Sequence, residues 1–260
     1  MLAKTIAVAN QKGGVGKTTT AVNLSACLAY YGKKVLIVDI DPQGNTTSGL
    51  GFEKNEVINS IYDALINEMD INTAIFDTEI DNLKLCPSNI QLAGAEVELV
   101  PMISRETRMK NVLQEIKHEY DFIIMDCPPS LALLTVNALT AANTILVPIQ
   151  CEYYALEGLS QLMDTVNLVQ RHLNKKLDIE GVILTMFDAR TKLSMQVVEE
   201  VKKYFKNKVY KTVIPRNVRL SEAPSYGQPI IKYDSKSKGA KCYLELAKDV
   251  IKRDEEERKC

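Results

Sequence analysis

Short apolar, β-branched runs alternate with longer stretches of helical periodicity along nearly the whole chain. The runs Thr5–Asn10, Val35–Asp39, Leu83–Pro87, Phe122–Asp126, Thr144–Ile149, Gly181–Phe187 and Val209–Ile214 read as strands. Several are apolar almost throughout, as strands buried on both faces must be. Helices are expected over Lys17–Tyr31, Ser104–His118, Leu156–Leu173, Ser194–Phe205 and Lys238–Arg258. In Ser194–Phe205, Val197, Val198, Val201 and Phe205 recur at helical spacing while Glu199, Glu200, Lys202 and Lys203 take the other face, which describes a helix covering a sheet. The alternation predicts an α/β fold, a mostly parallel twisted sheet with helices on both faces. No repeat or composition break divides the chain, so one domain is expected over residues 1–252. Residues 253–260, Arg253-Asp254-Glu255-Glu256-Glu257-Arg258-Lys259-Cys260, are expected to form a solvated charged tail free to fray.

Composition narrows the function classes. The 260 residues are 46% hydrophobic and 25% charged, ordinary values for a globular protein with a sizeable core. The net charge is -1, so contact with a nucleic acid would have to come from a local basic patch. The N-terminus shows no signal-peptide apolar region, and no stretch approaches the roughly 18 apolar residues of a spanning helix. The expectation is a cytoplasmic protein. Cys27, Cys86, Cys127, Cys151, Cys242 and Cys260 are scattered with no C-x-x-C pair, and read as reduced thiols, mostly core residues.

Chemistry enters at Gln11-Lys12-Gly13-Gly14-Val15-Gly16-Lys17-Thr18-Thr19, which follows the first strand and opens a helix. That is the context of a phosphate-binding loop, so the fold is expected to be a single-domain P-loop NTPase. Glycines let successive N–H groups turn inward on phosphate oxygens, and the helix N-terminus adds partial positive charge. Lys17 would meet the β- and γ-phosphates, and the Thr18 hydroxyl would be a Mg²⁺ ligand. The nucleotide-binding set is Lys12, Gly13, Gly14, Val15, Gly16, Lys17, Thr18 and Thr19. Asp39 and Asp41 lie two apart at the end of a strand, sharing a face toward a metal shell and an attacking water. Asp126, closing the apolar run from Phe122, has the character of a Walker B carboxylate that holds Mg²⁺ through a water. Cys127 beside it reads as a packing residue, with no histidine or lysine nearby in sequence to make a thiolate.

The loop departs from the usual pattern: Gln11 stands where its first glycine would fall, and a second lysine, Lys12, appears instead. In this Lys-Gly-Gly-Val-Gly-Lys-Thr form the chain resembles the ParA/MinD family of deviant Walker A ATPases. The resemblance implies an ATP-bound homodimer in which Lys12 reaches the partner's phosphates. It gives Asp41, in Asp39-Ile40-Asp41-Pro42-Gln43-Gly44-Asn45, the water-positioning role, with Asp39 contacting the metal through water. It makes the loop at Pro128 and Pro129 a switch, and it places Pro215 and Asn217 against adenine. The catalytic set so implied is Asp41, Lys12 and Lys17.

The same core serves DNA-binding proteins, membrane-binding proteins and iron–sulfur reductases. The last helix runs into Asp254-Glu255-Glu256-Glu257, which anionic lipid would repel, so no membrane partner is expected. Cys127 and Cys151 lack the surroundings of a shared cluster. Segments such as Asn89-Ile90-Gln91-Leu92-Ala93-Gly94-Ala95-Glu96, Gln150–Gly158 and Arg216–Ser225 match the chromosome-partitioning branch. That likeness implies nonspecific double-stranded DNA binding by the ATP dimer through Arg190 and Arg219, with Lys192, Lys211, Lys232, Lys236 and Lys238 as auxiliaries. It further implies slow ATP hydrolysis stimulated by a ParB-type centromere-binding protein, and association with the nucleoid. The alternative is a nucleotide-state switch read by replication-initiation or developmental regulators.

Overall fold

The computed structural model describes residues 2–152 and 158–259. The first half contains β1 (Lys4–Val8), α1 (Lys17–Tyr30), β2 (Val35–Asp39), α2 (Asn45–Gly49), α3 (Ile61–Ile66), β3 (Phe76–Asp77), β4 (Leu83–Cys86), α4 (Leu92–Glu98), α5 (Arg108–Gln114) and β5 (Phe122–Asp126). The second contains α6 (Leu133–Ala141), β6 (Thr144–Gln150), α7 (Leu159–His172), β7 (Asp178–Phe187), α8 (Lys192–Phe205), β8 (Val209–Pro215), α9 (Val218–Glu222), α10 (Ile230–Tyr233) and α11 (Lys238–Glu257). The strands form one eight-stranded sheet in the order β3-β4-β2-β5-β1-β6-β7-β8. Pairing is parallel throughout except where the two-residue edge strand β3 runs antiparallel to β4.

Period-two alternation divides the central strands between two cores. Ile6, Val8, Val35, Ile37, Phe122 and Ile124 point to the side covered by α1 and α11, while Ala7, Leu36, Val38, Ile123 and Met125 point to the side of α3 to α8. Asp39 and Asp126 continue the first series, two residues beyond Ile37 and Ile124. The alternation therefore aims both carboxylates toward α1 and the loop before it. After β1 the chain builds the sheet in one direction through β5, then returns past β1 to add β6, β7 and β8. The loop after β1 thus lies at the switch point of an open α/β sheet, where the carboxyl ends of strands leave a crevice.

Several sequence expectations need correction. The helix expected over 104–118 is only α5, because Ser104 has a positive φ of 56° and residues beyond Gln114 tighten into turns. The start of the helix expected at Leu156, and part of the Gln150–Gly158 segment, lie outside the described residues. The charged run expected to be a free tail is, through Glu257, the end of α11. Its Arg253 donates to the Glu180 carbonyl at 2.5 Å and lies over the Tyr210 ring, and Asp254 is largely buried. The charges there had hidden one inward-facing stripe.

That stripe meets a buried ion pair. Lys4 Nζ lies 2.9 Å from Glu180 Oε2 and 2.9 Å from Glu257 Oε2, and the Lys4 and Glu180 side chains are 4% and 1% exposed. Thr144 and Tyr210 also donate to Glu180, at 2.7 and 3.1 Å. Removing one partner strands a charge away from water. Lys4→Met is expected to lower the unfolding free energy by about 3–5 kcal/mol, with Lys4→Met/Glu180→Gln recovering part of the loss, both read by urea denaturation at pH 7. A single-mutant cost under about 1 kcal/mol, the level of an exposed pair, would show that water reaches Glu180.

Candidate functional site

The loop between β1 and α1 is held at both sides by neighbouring strands. Asn10 donates to the Pro148 carbonyl at 2.7 Å and accepts from Lys12 N at 3.0 Å, tying the loop to β6. Thr185 Oγ1 donates to the Val15 carbonyl at 2.8 Å, tying it to β7. Gly14 and Gly16 have φ of 72° and 88°, a region where a side chain is strained. Gly16 leads directly into α1, whose first turn carries no acidic residue, so the positive end of the helix is left uncompensated.

Lys17 opens α1 and is buried, its Nζ donating to the Lys12 carbonyl at 3.0 Å. Burial lowers its pKa from the ordinary lysine value, against the opposing pull of Asp126 and Asp41. Lys12 itself is only half-buried and makes no ion pair among the described residues. Gly13 is exposed, and a Cβ there would meet nothing within 4 Å. The outer rim of the loop is therefore open, with a cation beside it.

Asp39 and Asp126 are register partners on adjacent parallel strands, and both are fully buried. Burial, followed by the charge of Asp126, pushes the Asp39 carboxyl up to about 8. Burial likewise raises Asp126, to about 6, against the pull of the Thr46 and Thr18 hydroxyls. The segment leaving β2 answers part of this. Asp39 Oδ1 accepts from Asp41 N at 3.2 Å, and its Oδ2 accepts from Thr47 N and Thr47 Oγ1 at 2.8 and 2.7 Å. Thr46 Oγ1 donates to Asp126 Oδ2 at 2.8 Å. Asp126 Oδ1 is buried with no hydrogen-bond partner among the described residues. Asp41 is nearly buried, and its Oδ1 accepts from Gln43 N at 2.9 Å in a turn closed by Gly44.

The donor set can be tested for a metal. Among the described residues no group of three or more His, Cys, Asp or Glu side chains could hold an ion by itself. The orphaned Asp126 oxygen and the nearby Thr18 hydroxyl are hard oxygen donors, enough for a cation that takes its other ligands from water and phosphate, as Mg²⁺ does. Both Asp39 oxygens already accept hydrogen bonds, Oδ1 from the Asp41 amide and Oδ2 from Thr47 of α2. Cys127 is buried, donates its N–H to the Val8 carbonyl, and has a thiol pKa raised well above the usual value by burial and then by Asp126, as suits a packing residue.

Beside the loop lies a cleft of about 370 Å³ whose lining includes Gly16, Thr19, Thr185, Pro215, Asn217 and Tyr243. Pro215 and Asn217 thus share a cleft with Gly16 and Thr19 of the phosphate loop. Asn217 Oδ1 accepts from Arg219 N at 2.8 Å, capping α9. Arg219 therefore stands on a short helix, α9. Arg190 is in the turn after β7, and Phe187 and Pro215 are register partners, so both arginines follow neighbouring strand ends. Each is matched by a carboxylate. Arg190 NH2 lies 2.6 Å from Asp188, and Arg219 lies 2.9 Å from Glu222 and 3.7 Å from Asp234.

Residues 3–179 match the AAA domain family. Over 249 residues the chain is 66% identical to the sporulation initiation inhibitor protein Soj of Bacillus subtilis, covering 96% of this chain and 98% of that one. It is 55% identical over 249 residues to the chromosome partitioning protein ParA of Myxococcus xanthus, covering 96% and 88% of the two. The chain belongs to the Soj/ParA family of chromosome-partitioning ATPases. Among solved structures, cobyrinic acid a,c-diamide synthase of Mycobacterium smegmatis with bound ADP and magnesium superposes with a TM-score of 0.86 at 37% identity, covering 96% of this chain and 94% of that one. A differently named protein shares the same scaffold, so function is set by the residues of the site and not by the fold alone.

Within this Soj/ParA chain, sequence reading missed Thr46, Thr47 and Thr185. All three are buried hydroxyls that hold the loop or the paired aspartates. Two hydroxyls directly after a motif rich in Asp and Gly were the available signal, and only tertiary contact shows what they grip. The buried acidic pair yields a stability prediction. Asp126→Asn removes a desolvated charge while keeping an oxygen for Thr46, and is expected to stabilise the ligand-free protein by about 1 kcal/mol at pH 8. Thermal unfolding checks this, and a comparable loss of stability would show that the carboxylates are already well compensated.

Proposed function

We propose that this chain is a Mg²⁺-dependent ATPase that dimerises around ATP, holds DNA without sequence preference as the dimer, and acts in partitioning with a ParB-type protein that speeds hydrolysis. The observation that carries the reading is the convergence of a glycine loop, the buried Lys17 and the unpartnered Asp126 oxygen at one strand switch point. Lys17 exchanges the Lys12 carbonyl for phosphate oxygens. Thr18 and Asp126 hold Mg²⁺, Asp126 through water, and Mg²⁺ when bound supplies charge neutralisation at the phosphates. Pro215 packs on the adenine ring and the Asn217 amide meets its edge.

Asp41 orients the attacking water, in the role of a positioned acid–base group. Lys12 and Gly13 stand on the open rim, where a second copy would bring its own loop. Lys12 then acts in trans, as an arginine finger does, supplying positive charge to the transferred phosphoryl group. Turnover by the lone chain is slow because that charge comes from the partner copy. Arg190 and Arg219, doubled by dimerisation, give a stripe of phosphate contacts on a protein of net charge -1. Lys192, Lys211, Lys236 and Lys238 are exposed auxiliaries, whereas Lys232 is paired with Glu79. Among the described residues no helix is long and apolar enough to cross a membrane, and the proposed location is the nucleoid within the cytoplasm. A second reading, a switch acting mainly through developmental regulators, is favoured by the sporulation-inhibitor name of the Bacillus relative.

Sedimentation with mixed-sequence DNA and, in parallel, with anionic liposomes tests the proposal. Wild-type protein should sediment with DNA only when ATP and Mg²⁺ are present, and not with the liposomes. Asp41→Ala should keep ATP binding, lose turnover by about 100-fold or more, and remain on DNA. Normal turnover by that variant would sink the water-positioning role. Arg190→Ala and Arg219→Ala should weaken retention on all sequences and reduce the slope of log affinity against log salt by about one for each phosphate no longer engaged. Undiminished retention by both would place the DNA surface elsewhere.

A further inference from the structure

Thr46 and Thr47 are consecutive residues of α2, yet they grip carboxylates on two different strands. Thr47 holds Asp39 of β2 with both its amide and its hydroxyl, and the Thr47 hydroxyl also accepts from Ser88 N at 3.0 Å. Thr46 holds Asp126 of β5 at 2.8 Å through its hydroxyl alone. Both threonines are fully buried. The consequence for Asp126 is asymmetric: Oδ2 is engaged by Thr46, and Oδ1 is left without a partner among the described residues.

A carboxylate with one oxygen fixed has lost most of its freedom to rotate, so the direction of the other oxygen is set. This is how an outer hydrogen bond orients a ligand for a metal. We propose that Thr46 is a positioning residue that fixes which oxygen of Asp126 serves Mg²⁺, and that it thereby makes the α2 segment part of the metal site. Thr46 follows Asp41 by five residues, and Gly44 N donates back to the Asp41 carbonyl at 2.8 Å. The residue proposed to orient water and the residue that orients the metal carboxylate are therefore carried on one turn. A shift of that turn would change both together.

The inference rests on the Mg²⁺–ATP reading above, and the test separates the two. A fluorescent, non-hydrolysable ATP analogue is titrated into the protein at fixed concentration while Mg²⁺ is varied, and the Mg²⁺ concentration for half-maximal binding is read. Thr46→Val keeps the side-chain shape and removes the donor, and should raise that concentration about tenfold or more. Thr46→Ser should restore it to within about twofold of wild type, and binding of the analogue in EDTA should be the same for all three. Thr47→Val, whose hydroxyl serves Asp39, should lower the melting temperature without moving the Mg²⁺ requirement. Should Thr46→Val fail to fold, Thr46→Ala removes the same hydroxyl with a methyl-sized gap and carries the same expectation.

An unchanged Mg²⁺ requirement in the folded Thr46 variant, or no rescue by serine, would overturn the positioning role and leave Thr46 as a partner that merely satisfies a buried carboxylate. Wild-type protein that binds the analogue identically with and without Mg²⁺ would overturn the metal reading itself.

Discussion

Two carboxylates stand side by side at the ends of adjacent parallel strands, on one face, with water excluded from both. Asp39 and Asp126 are placed there by β2–β5 register and by the same alternation that sends Ile37 and Ile124 into the core. Charges so buried are costly unless hydrogen-bonded or met by a cation. The arrangement around them is best understood as a partial answer to that cost. The amide of Asp41 and both donors of Thr47 serve Asp39, Thr46 serves one oxygen of Asp126, and Lys17 lies close enough to favour the ionised form. One oxygen is left over. On the Mg²⁺ reading, that oxygen is the one a cation would meet, and the turn from Asp41 to Thr47 is the segment bonded to both carboxylates.

That turn is linked outward as well as inward. Gly51, just beyond α2, approaches Gly227 so closely that a Cβ on Gly227 would lie 2.6 Å from Gly51 Cα, and Gly227 follows α9 with its Arg219. On the other side, Ser88 N is held by Thr47, and α4 beyond it sends Glu96 to accept from Leu133 N and Leu134 N at the start of α6. The loop at Pro128 and Pro129 leads into that helix. Packed elements of this kind have few alternative arrangements, so on the proposed reading a change at the paired carboxylates would be transmitted as a rearrangement of discrete elements and not as a smooth deformation.

The fold and the loop were legible in the sequence for different reasons. Central strands such as Val35–Asp39 and Phe122–Asp126 are apolar on both faces, and their limits agree with the structure to the residue. The phosphate loop declares itself through its closely spaced glycines and the Lys-Thr pair that follows them, features that need no knowledge of distant contacts. What stayed hidden depends on tertiary placement. The two-residue strand β3 is too short for any periodicity to show. Arg253 reads as a solvent charge until Tyr210 and the Glu180 carbonyl are brought beneath it. Asp39 and Asp126 were both singled out, but nothing in one dimension says that they are neighbours, or that Thr46 and Thr47 divide them.

The two arginines show how a weakly acidic chain could serve a polyanion. Arg190 and Arg219 are exposed, but each is already matched by carboxylates on its own loop or helix. On the DNA reading, contact with phosphate is an exchange: a phosphate oxygen replaces Asp188 or Glu222 as the guanidinium's partner. Exposed pairs of this sort contribute little, and salt weakens both the pair and its replacement. Each exchange then gains mainly the release of counterions from the nucleic acid. One chain with two such arginines would bind feebly, whereas a dimer doubles the phosphate-binding groups without a second loss of translational freedom. On that reading, dependence of DNA holding on dimerisation, and through the dimer on nucleotide, would follow from the smallness of each individual exchange and would require no change in the arginines themselves.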